Sequence, residues 1–369
     1  MNILLAGGGT AGHINPAITV ARTVKEKNPD ANIVFVGNKD SLEEKLVKKA
    51  GFDIRFIKVT GFKRSLSLHN FKTVLWFARA VKDCKKIIKE CNIDIVIGTG
   101  GYVSGPAVYA AHALGVKTCI HEQNAFPGMT SKFLSKYVDT VFISFESSKK
   151  YFKKAKNVVL TGNPLDSAFL FTDKAEARKK LGIPEDAFYV LSFAGSLGAR
   201  EINKMLIDFI IKNNKQNDFY HTHATGSYGY KWMPEELKKR GFDINDGGRI
   251  AVLEYIYDMP LRLAACDVVI SRAGAITLGE ITAQAKPSIL IPSPNVTNNH
   301  QFHNAMSLVN GGAAMILEEK EMSADKLYAM VEKLKNDPDL ARKLGKNAGK
   351  MALLRAAEDI CEGIHKLIK

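Results

Sequence analysis

The sequence predicts an α/β protein built from two doubly wound domains, and three observations predict it. Short apolar runs of β type alternate with helical periods through both halves, glycine-rich turns follow several of those runs, and 369 residues with 46% hydrophobic content can bury two cores. The runs at 2–6, 32–37, 53–58, 94–98, 117–120, 139–143 and 157–160 supply one sheet; those at 187–194, 218–225, 249–253, 267–270, 287–291 and 313–316 supply the other. Strands this apolar, separated by helices, are parallel and covered on both faces. Thr161-Gly162-Asn163-Pro164 has turn chemistry, so the expected division is a domain at 1–161 and a second at 162–350. The tail is helical, and residues 351–369 are expected to cross back to the first domain. Ligands of such sheets bind beyond the carboxyl ends of the strands, which places the loops of both domains in one expected cleft.

The first strand, Ile3 to Ala6, empties into Gly7-Gly8-Gly9-Thr10-Ala11-Gly12-His13 and then a helix. Unpaired N–H groups at the helix start attract an anion, and glycine lets the backbone approach it. His13 falls in the first helical turn, where an imidazole can act on a bound substrate. Gly7, Gly9 and Gly12 also satisfy the dinucleotide pattern, but that site wants an acid closing the second strand. Here Ile33 to Val36 runs into Gly37-Asn38-Lys39, and Asp40 comes late enough to suit a helix N-cap. A phosphate cradle is the better reading.

After the fourth run, Gly98-Thr99-Gly100-Gly101-Tyr102-Val103-Ser104-Gly105-Pro106 is a second anion loop. A tight turn explains Gly105 and Pro106 but not three further glycines, so the two loops together suit two phosphates or one diphosphate. His121-Glu122-Gln123-Asn124 closes the fifth run with four polar side chains. Glu122 can take a hydroxyl proton, which makes it a rival to His13 as general base, while His121 suits packing.

In the second half, Phe193-Ala194-Gly195-Ser196-Leu197-Gly198-Ala199 is again strand, glycine turn and helix, with Ser196 expected at the helix start as a cap or phosphate donor. Ser271 to Glu280 follows another strand and carries Glu280 into a helix, where a carboxylate can accept ribose hydroxyls. Asn298-Asn299-His300-Gln301 opens a further helix with amides suited to sugar hydroxyls. Asp337-Pro338-Asp339 has the spacing of a metal-diphosphate motif, but proline at a helix start makes Asp337 an N-cap, and no metal or other cofactor is expected.

Charge is unevenly spread. The net +14 resolves into 25 Lys and Arg against 12 Asp and Glu in residues 1–160, with near balance beyond. The basic half suits an anionic surface, and phospholipid is preferred because no nucleic-acid motif or aromatic-basic interleaving is present. Five cysteines without metal or CxxC spacing fit reduced thiols, and neither a signal peptide nor a membrane-spanning stretch is expected.

Taken in order, GGGTAGH, GTGGYVSGP, HEQN, TGNP, AGSLGAR, EYIYDM, SRAGAITLGE and NHQFHNA resemble the MurG family of bacterial glycosyltransferases over the whole chain. The resemblance implies the GT-B architecture of two facing Rossmann-like domains. It also implies transfer of N-acetylglucosamine (GlcNAc) from UDP-GlcNAc to the C4 hydroxyl of undecaprenyl-diphosphate-MurNAc-pentapeptide, with inversion, in peptidoglycan synthesis. It places Thr10, Ala11, Gly12 and Asn124 by the donor sugar, Ser196 on the diphosphate, Ile256 by uracil, and Ala275, Ile276, Thr277, Leu278, Gly279 and Glu280 along the uridine, with Glu280 on the ribose and Gln301 on GlcNAc. Gly9, Gly12, Gly100, Gly101 and Tyr102 would take the acceptor diphosphate, and His13 or Glu122 the proton. The family's arginine two residues after TGNP is Asp166 here, so no nucleotide contact is assigned to it. The implied location is the cytoplasmic face of the bacterial membrane, peripherally bound through anionic phospholipid; Phe62, Lys63, Arg64, Phe71, Leu75, Trp76 and Arg79 are the expected docking patch. Competing readings are another GT-B enzyme such as an epimerase, an NAD-dependent oxidoreductase, and a nucleotide-sugar-binding scaffold without turnover.

Overall fold

Every one of the apolar runs becomes a strand, because each is too short for a stable helix and is bounded by turn residues. The computed structural model describes residues 1–61, 68–245 and 248–369. Its first sheet contains β1 (Asn2–Gly7), β2 (Asn32–Gly37), β3 (Asp53–Phe56), β4 (Ile95–Gly100), β5 (Lys117–Glu122), β6 (Thr140–Ile143) and β7 (Val158–Leu160), in the order β3-β2-β1-β4-β5-β6-β7. The second contains β8 (Tyr189–Phe193), β9 (Tyr220–Ala224), β10 (Ile250–Leu253), β11 (Val268–Ser271), β12 (Ser288–Leu290) and β13 (Met315–Ile316), in the order β10-β9-β8-β11-β12-β13. All pairings are parallel. Each order reverses once, between β1 and β4 and between β8 and β11, and those reversals are where doubly wound sheets bind ligands.

Period-two alternation sends neighbouring residues of a strand to opposite layers. Leu4 and Ala6 of β1 join Val34, Val96 and Ile120 beneath Ala80, Cys84, Val103 and Ala107 of the helices Leu68–Glu90 and Gly101–Ala113. Ile3 and Leu5 turn the other way, joining Ile33, Phe35 and Ile97 against Ile14, Ala17 and Val20 of the helix Ala11–Lys27. The same layer receives Ile360, Cys361 and Ile364 from the terminal helix Ala356–Ile368. Fully burying one such aliphatic side chain contributes ~1.5–3 kcal/mol. At Gly363 a side chain would sit 2.5 Å from the Phe142 ring, so the terminal helix lies as close as it does only with glycine there.

Two compact units result: Met1–Leu165 with Leu353–Lys369, and Asp166–Ala352. The division falls after Leu165 rather than after Thr161, and the returning segment starts at Leu353 rather than 351. The reason is that Thr161 to Asn163 is not a free linker. The N–H groups of Thr161 and Gly162 both donate to the Ile143 carbonyl (2.9 and 3.2 Å), and Asn163 is buried against Ser144. Asp337 accepts from Leu340 N–H (2.9 Å) as the cap of the helix Pro338–Lys350. Asp40 is not a cap; Ser41 takes that place before the helix Leu42–Lys49, accepting from Glu44 N–H. No helix of the described residues is long and apolar enough to cross a membrane.

Candidate active site

At the reversal in the first sheet, the turn after β1 and the turn after β4 lie backbone to backbone. Gly8 N–H donates to the Gly100 carbonyl (3.3 Å), and a Cβ on Gly101, whose φ is +77°, would run into the Gly8 carbonyl oxygen. The helix Ala11–Lys27 starts without a side-chain cap: Thr10 is extended, and only its main-chain carbonyl accepts, from the N–H groups of His13 and Ile14 (3.1 and 3.2 Å). Gly9, Thr10 and Gly12 are exposed, and no packing demands glycine at Gly12. An uncapped, open helix start of this kind leaves N–H groups that can receive an anion. Tyr102 packs its ring on Gly9, and burial raises its phenol above the ordinary range.

His13 is half-buried in that first turn, and its ring lies flat on Gly100, where a Cβ would come within 2.5 Å of Nδ1. Its main-chain oxygen accepts from Thr99 Oγ1 (2.7 Å), which locks the turn to β4. His13 Nδ1 is 3.2 Å from Gln123 Oε1. Glu122, the rival base, is buried with both oxygens occupied: Oε1 accepts from Asn124 N–H (3.0 Å) and Asn124 Nδ2 (3.1 Å), and Oε2 from Gly128 N–H (3.1 Å). Its carboxylate ties down residues 124–128, and Asn124 is thereby oriented. His121 is buried, donates from Nε2 to the Gly162 carbonyl (2.9 Å), and is pushed down to about 4 by burial, so it stays neutral.

In the second unit Ser196 does not start a helix. It sits in an exposed turn, and the helix Arg200–Gln216 begins four residues later behind Gly198 at φ +80°. A Cβ on Gly198 would collide with the Thr225 carbonyl oxygen. Ser227 N–H donates to the Ser196 carbonyl (3.1 Å), so the turn is braced from below by Thr225 to Ser227. The brace is itself held: Asn203 Nδ2 donates to Thr225 O (2.8 Å), and Asn203 Oδ1 faces His223 Nε2 (3.2 Å). Burial lowers His223 to about 4 and His221 well below the ordinary range, so both stay neutral.

The helix Ala275–Ala283 begins after Gly274 without a side-chain cap and carries Ala275, Ile276, Thr277, Leu278, Gly279 and Glu280 in its first two turns. Ala275 and Leu278 are buried, while Ile276, Thr277, Gly279 and Glu280 are partly exposed. The turn before it is fixed by Arg272, which pairs with Glu319 (2.5 Å) and donates to the Ile291 carbonyl (3.2 Å). Among the described residues the Glu280 carboxylate has no partner, and burial pushes it up to about 7. A desolvated, unpartnered carboxylate is two acceptors short of satisfied, which two hydroxyl donors would remedy. Gln301 Oε1 accepts from Ser293 N–H (2.9 Å), leaving its NH2 to donate to a ligand. Ile256 is buried between exposed Tyr255 and Tyr257. Asp166, at the family's arginine position, is exposed and accepts from Ala168 N–H (3.0 Å).

Residues 3–143 match the glycosyltransferase family 28 N-terminal domain, and residues 189–360 match the glycosyltransferase family 28 C-terminal domain. The chain belongs to glycosyltransferase family 28. This family 28 glycosyltransferase is 44% identical over 369 residues to the UDP-N-acetylglucosamine–N-acetylmuramyl-(pentapeptide) pyrophosphoryl-undecaprenol N-acetylglucosamine transferase of Acetivibrio thermocellus, covering 100% of this chain and 99% of the relative. The enzymes of that name from Thermoanaerobacter sp. (43%) and Bacillus thuringiensis (42%) are matched over 99% and 100% of their lengths and all of this chain. Among solved structures, Acinetobacter baumannii MurG aligns with a TM-score of 0.79 at 25% identity over 99% of both chains. The UDP-GlcNAc 2-epimerase of Neisseria meningitidis aligns at 0.68 and 14% over 99% of this chain and 100% of its own, a likeness of fold alone. The two sheets are those of the GT-B architecture.

Several participants were not singled out by the sequence. Gln123, Thr99, Glu43 and the Thr225 to Ser227 brace act through partners dozens of residues away; buried Glu43, for instance, accepts from Asn38 N–H (3.3 Å) and Gly9 N–H (3.4 Å) on the underside of the first turn. Of the expected docking patch, Phe62, Lys63, Arg64 and the side chain of Phe71 lie outside the described residues. Leu75 and Arg79 are exposed, and Trp76 lies under Lys58 Nζ at 3.8 Å.

Proposed function

We propose that this enzyme transfers GlcNAc from UDP-GlcNAc to the C4 hydroxyl of the lipid-linked MurNAc-pentapeptide in a single inverting displacement. The observation that carries the reading is full-length similarity, at 42–44% identity, to enzymes named for that reaction, with the family's motifs falling on uncapped helix starts and an unpartnered carboxylate. The first unit takes the acceptor, its diphosphate at Gly9, Gly12, Gly100, Gly101 and Tyr102. The second takes the donor, with Ser196 on the diphosphate, Ile256 at uracil, Ala275 to Glu280 along the uridine, Glu280 on the ribose and Gln301 on the sugar. Thr10, Ala11, Gly12 and Asn124 meet the transferred GlcNAc.

His13 is the general base in this reading. Glu122 has its oxygens engaged by three N–H donors of its own loop, whereas Nε2 of His13 has no protein partner among the described residues. Departure of UDP is assisted by the helix starts and by Ser196, with no metal ion. The enzyme works peripherally on the cytoplasmic face of the membrane, where the excess of Lys and Arg in residues 1–160 meets anionic phospholipid. Exposed Val74 and Leu75 on the helix Leu68–Glu90 support that placement. Incubation with radiolabelled UDP-GlcNAc and the lipid-linked acceptor is the test: label should appear in a disaccharide lipid. Release of free UDP without that product, or epimerised sugar, would refute the assignment.

A further inference from the structure

The side chain of Gln123 sits where three chain segments meet, and its orientation is fixed by its neighbours. Its Nε2 lies 2.8 Å from the Thr99 carbonyl and 3.2 Å from the His121 carbonyl, groups that can only accept. The nitrogen of the amide must therefore face them, and the amide oxygen must face His13 Nδ1. An oxygen there can only accept, so Nδ1 carries the proton and Nε2 of His13 keeps its lone pair. The far side of the network agrees. Gln123 Nε2 is also 3.1 Å from His121 Nδ1, which accepts, while His121 Nε2 donates to the Gly162 carbonyl at 2.9 Å. His121, held neutral by burial, thus accepts at Nδ1 and donates at Nε2, which is consistent with the amide nitrogen of Gln123 facing it.

We propose that Gln123 is a positioning residue that holds His13 in the Nδ1–H tautomer and so presents Nε2 as the proton acceptor. The inference rests on the reading of His13 as general base and adds the group that makes it one. In the transfer step the acceptor's C4 oxygen bonds to the anomeric carbon as the bond from that carbon to the UDP phosphate oxygen breaks, and UDP leaves with the electron pair. The hydroxyl proton passes to His13 Nε2. The imidazolium so formed keeps Nδ1–H on Gln123 Oε1 and later returns its extra proton to water. With the other tautomer, Nε2 would already bear a proton and could take none. A wrong tautomer is costly even where geometry is kept, as in catalytic triads.

Gly100 adds to the restraint. A side chain there would reach 2.5 Å from Nδ1, so the ring lies where Gln123 can meet it only because position 100 is glycine. His121 extends the hold to the buried Thr161 to Asn163 segment, where Ser144 Oγ bonds both Asn163 Oδ1 (2.9 Å) and His121 Nε2 (3.2 Å).

The full-length enzyme, with ring nitrogens labelled with 15N, tests the proposal by long-range proton–nitrogen NMR, the His13 signal being identified by its loss in His13→Ala. The parent should show His13 as the Nδ1–H tautomer. Gln123→Met, near in size but without an acceptor, should shift it toward Nε2–H and lower kcat by roughly a hundredfold, with KM for UDP-GlcNAc within about twofold. Gln123→Glu keeps an acceptor, so it should retain the tautomer and recover part of kcat; its negative charge should move the acidic limb of the pH–rate profile to higher pH. A purely structural role would not move that limb. Far-UV circular dichroism and a urea unfolding midpoint equal to the parent's show that each variant is folded. Parental tautomer and kcat in Gln123→Met, with kcat lost in His13→Ala, would overturn the role of Gln123 while leaving His13 as base. Full kcat in His13→Ala would overturn both.

Discussion

Each unit places a glycine turn after the first strand of a sheet with the same order, yet the two turns are finished differently. The turn after β1 is open above and wired below: its helix is uncapped, its histidine rests on a glycine, and a neutral chain of amide and imidazole fixes the ring. The turn after β8 is braced by backbone, with Gly198 against the Thr225 carbonyl, and its reactive-looking histidines, His221 and His223, are sealed beneath it. One scaffold thus serves two tasks. Where a titratable group is half-exposed beside an anion loop the unit can do chemistry, and where such groups are buried the unit can only hold. Burial, rather than residue type, separates His13, the base in the proposed reading, from His221 and His223.

The comparison predicts that the largest kinetic loss comes from the first turn. His13→Ala should lower kcat by roughly a hundredfold or more with UDP affinity nearly unchanged, and Glu122→Gln should do less. Steady-state rates and calorimetry on both variants check this. A greater kcat loss in Glu122→Gln, together with disappearance of the acidic limb, would assign the proton to Glu122.

The second turn should fail by losing its shape. Gly198→Ala forces a side chain into positive φ and against a carbonyl, which should cost the second unit ~2 kcal/mol or more and weaken UDP binding. Urea unfolding and calorimetry measure the two effects. Parental values for both would mean that the brace is dispensable.

Glu280 sharpens the contrast, because among the described residues its carboxylate is desolvated and has no partner. Glu280→Ala should raise KM for UDP-GlcNAc about tenfold, the loss of ~1.4 kcal/mol in hydrogen bonds to the ribose. The same residue sets a pH dependence. Its folded value is raised from 4.5 to about 7, so the folded state holds the proton more tightly than the unfolded one. The stability this confers is full below about pH 4.5 and is lost as pH rises through 7. Glu280→Gln should therefore be more stable than the parent at pH 8, by ~1 kcal/mol once partial exposure is discounted, and equal to it at pH 4. Equal unfolding midpoints at both pH values would show that Glu280 is already solvated.

The smallest effect per residue belongs to the charge difference. Gln in place of Lys63, Arg64, Lys72 and Arg79 should weaken binding to anionic vesicles by at most ~1 kcal/mol each, and added salt should weaken the parent likewise. Sedimentation with vesicles at low salt decides it; parental binding by the quadruple variant would move the surface elsewhere.

Much of this was legible in the chain, for a reason that also explains the rest. Strands announce themselves through local apolar runs, and anion turns through local glycines, so both sheets and the turns after β1, β4 and β8 could be read directly. Ser196 was misplaced because Gly198 in the left-handed region delays the helix by a turn, and no local signal distinguishes a glycine that starts a helix from one that postpones it. Gln123 was passed over because its partners, His13 and Thr99, lie 110 and 24 residues away. Only the sheet order brings them together. The glutamate of the same HEQN motif drew attention because carboxylates are eligible bases, yet its oxygens were already taken.

The terminal helix carries a consequence for synthesis. Phe142 is sealed by a helix that the ribosome makes about 190 residues after the rest of that unit. At ~5–20 residues per second, the apolar face around Phe142 and Ile14 stays uncovered for on the order of 10–40 s on a nascent chain whose second unit is still emerging. During that interval the early unit is a sticky intermediate, open to chaperones and to like chains on the same message. The layer beneath β1 is thus completed last although its first strand is translated first.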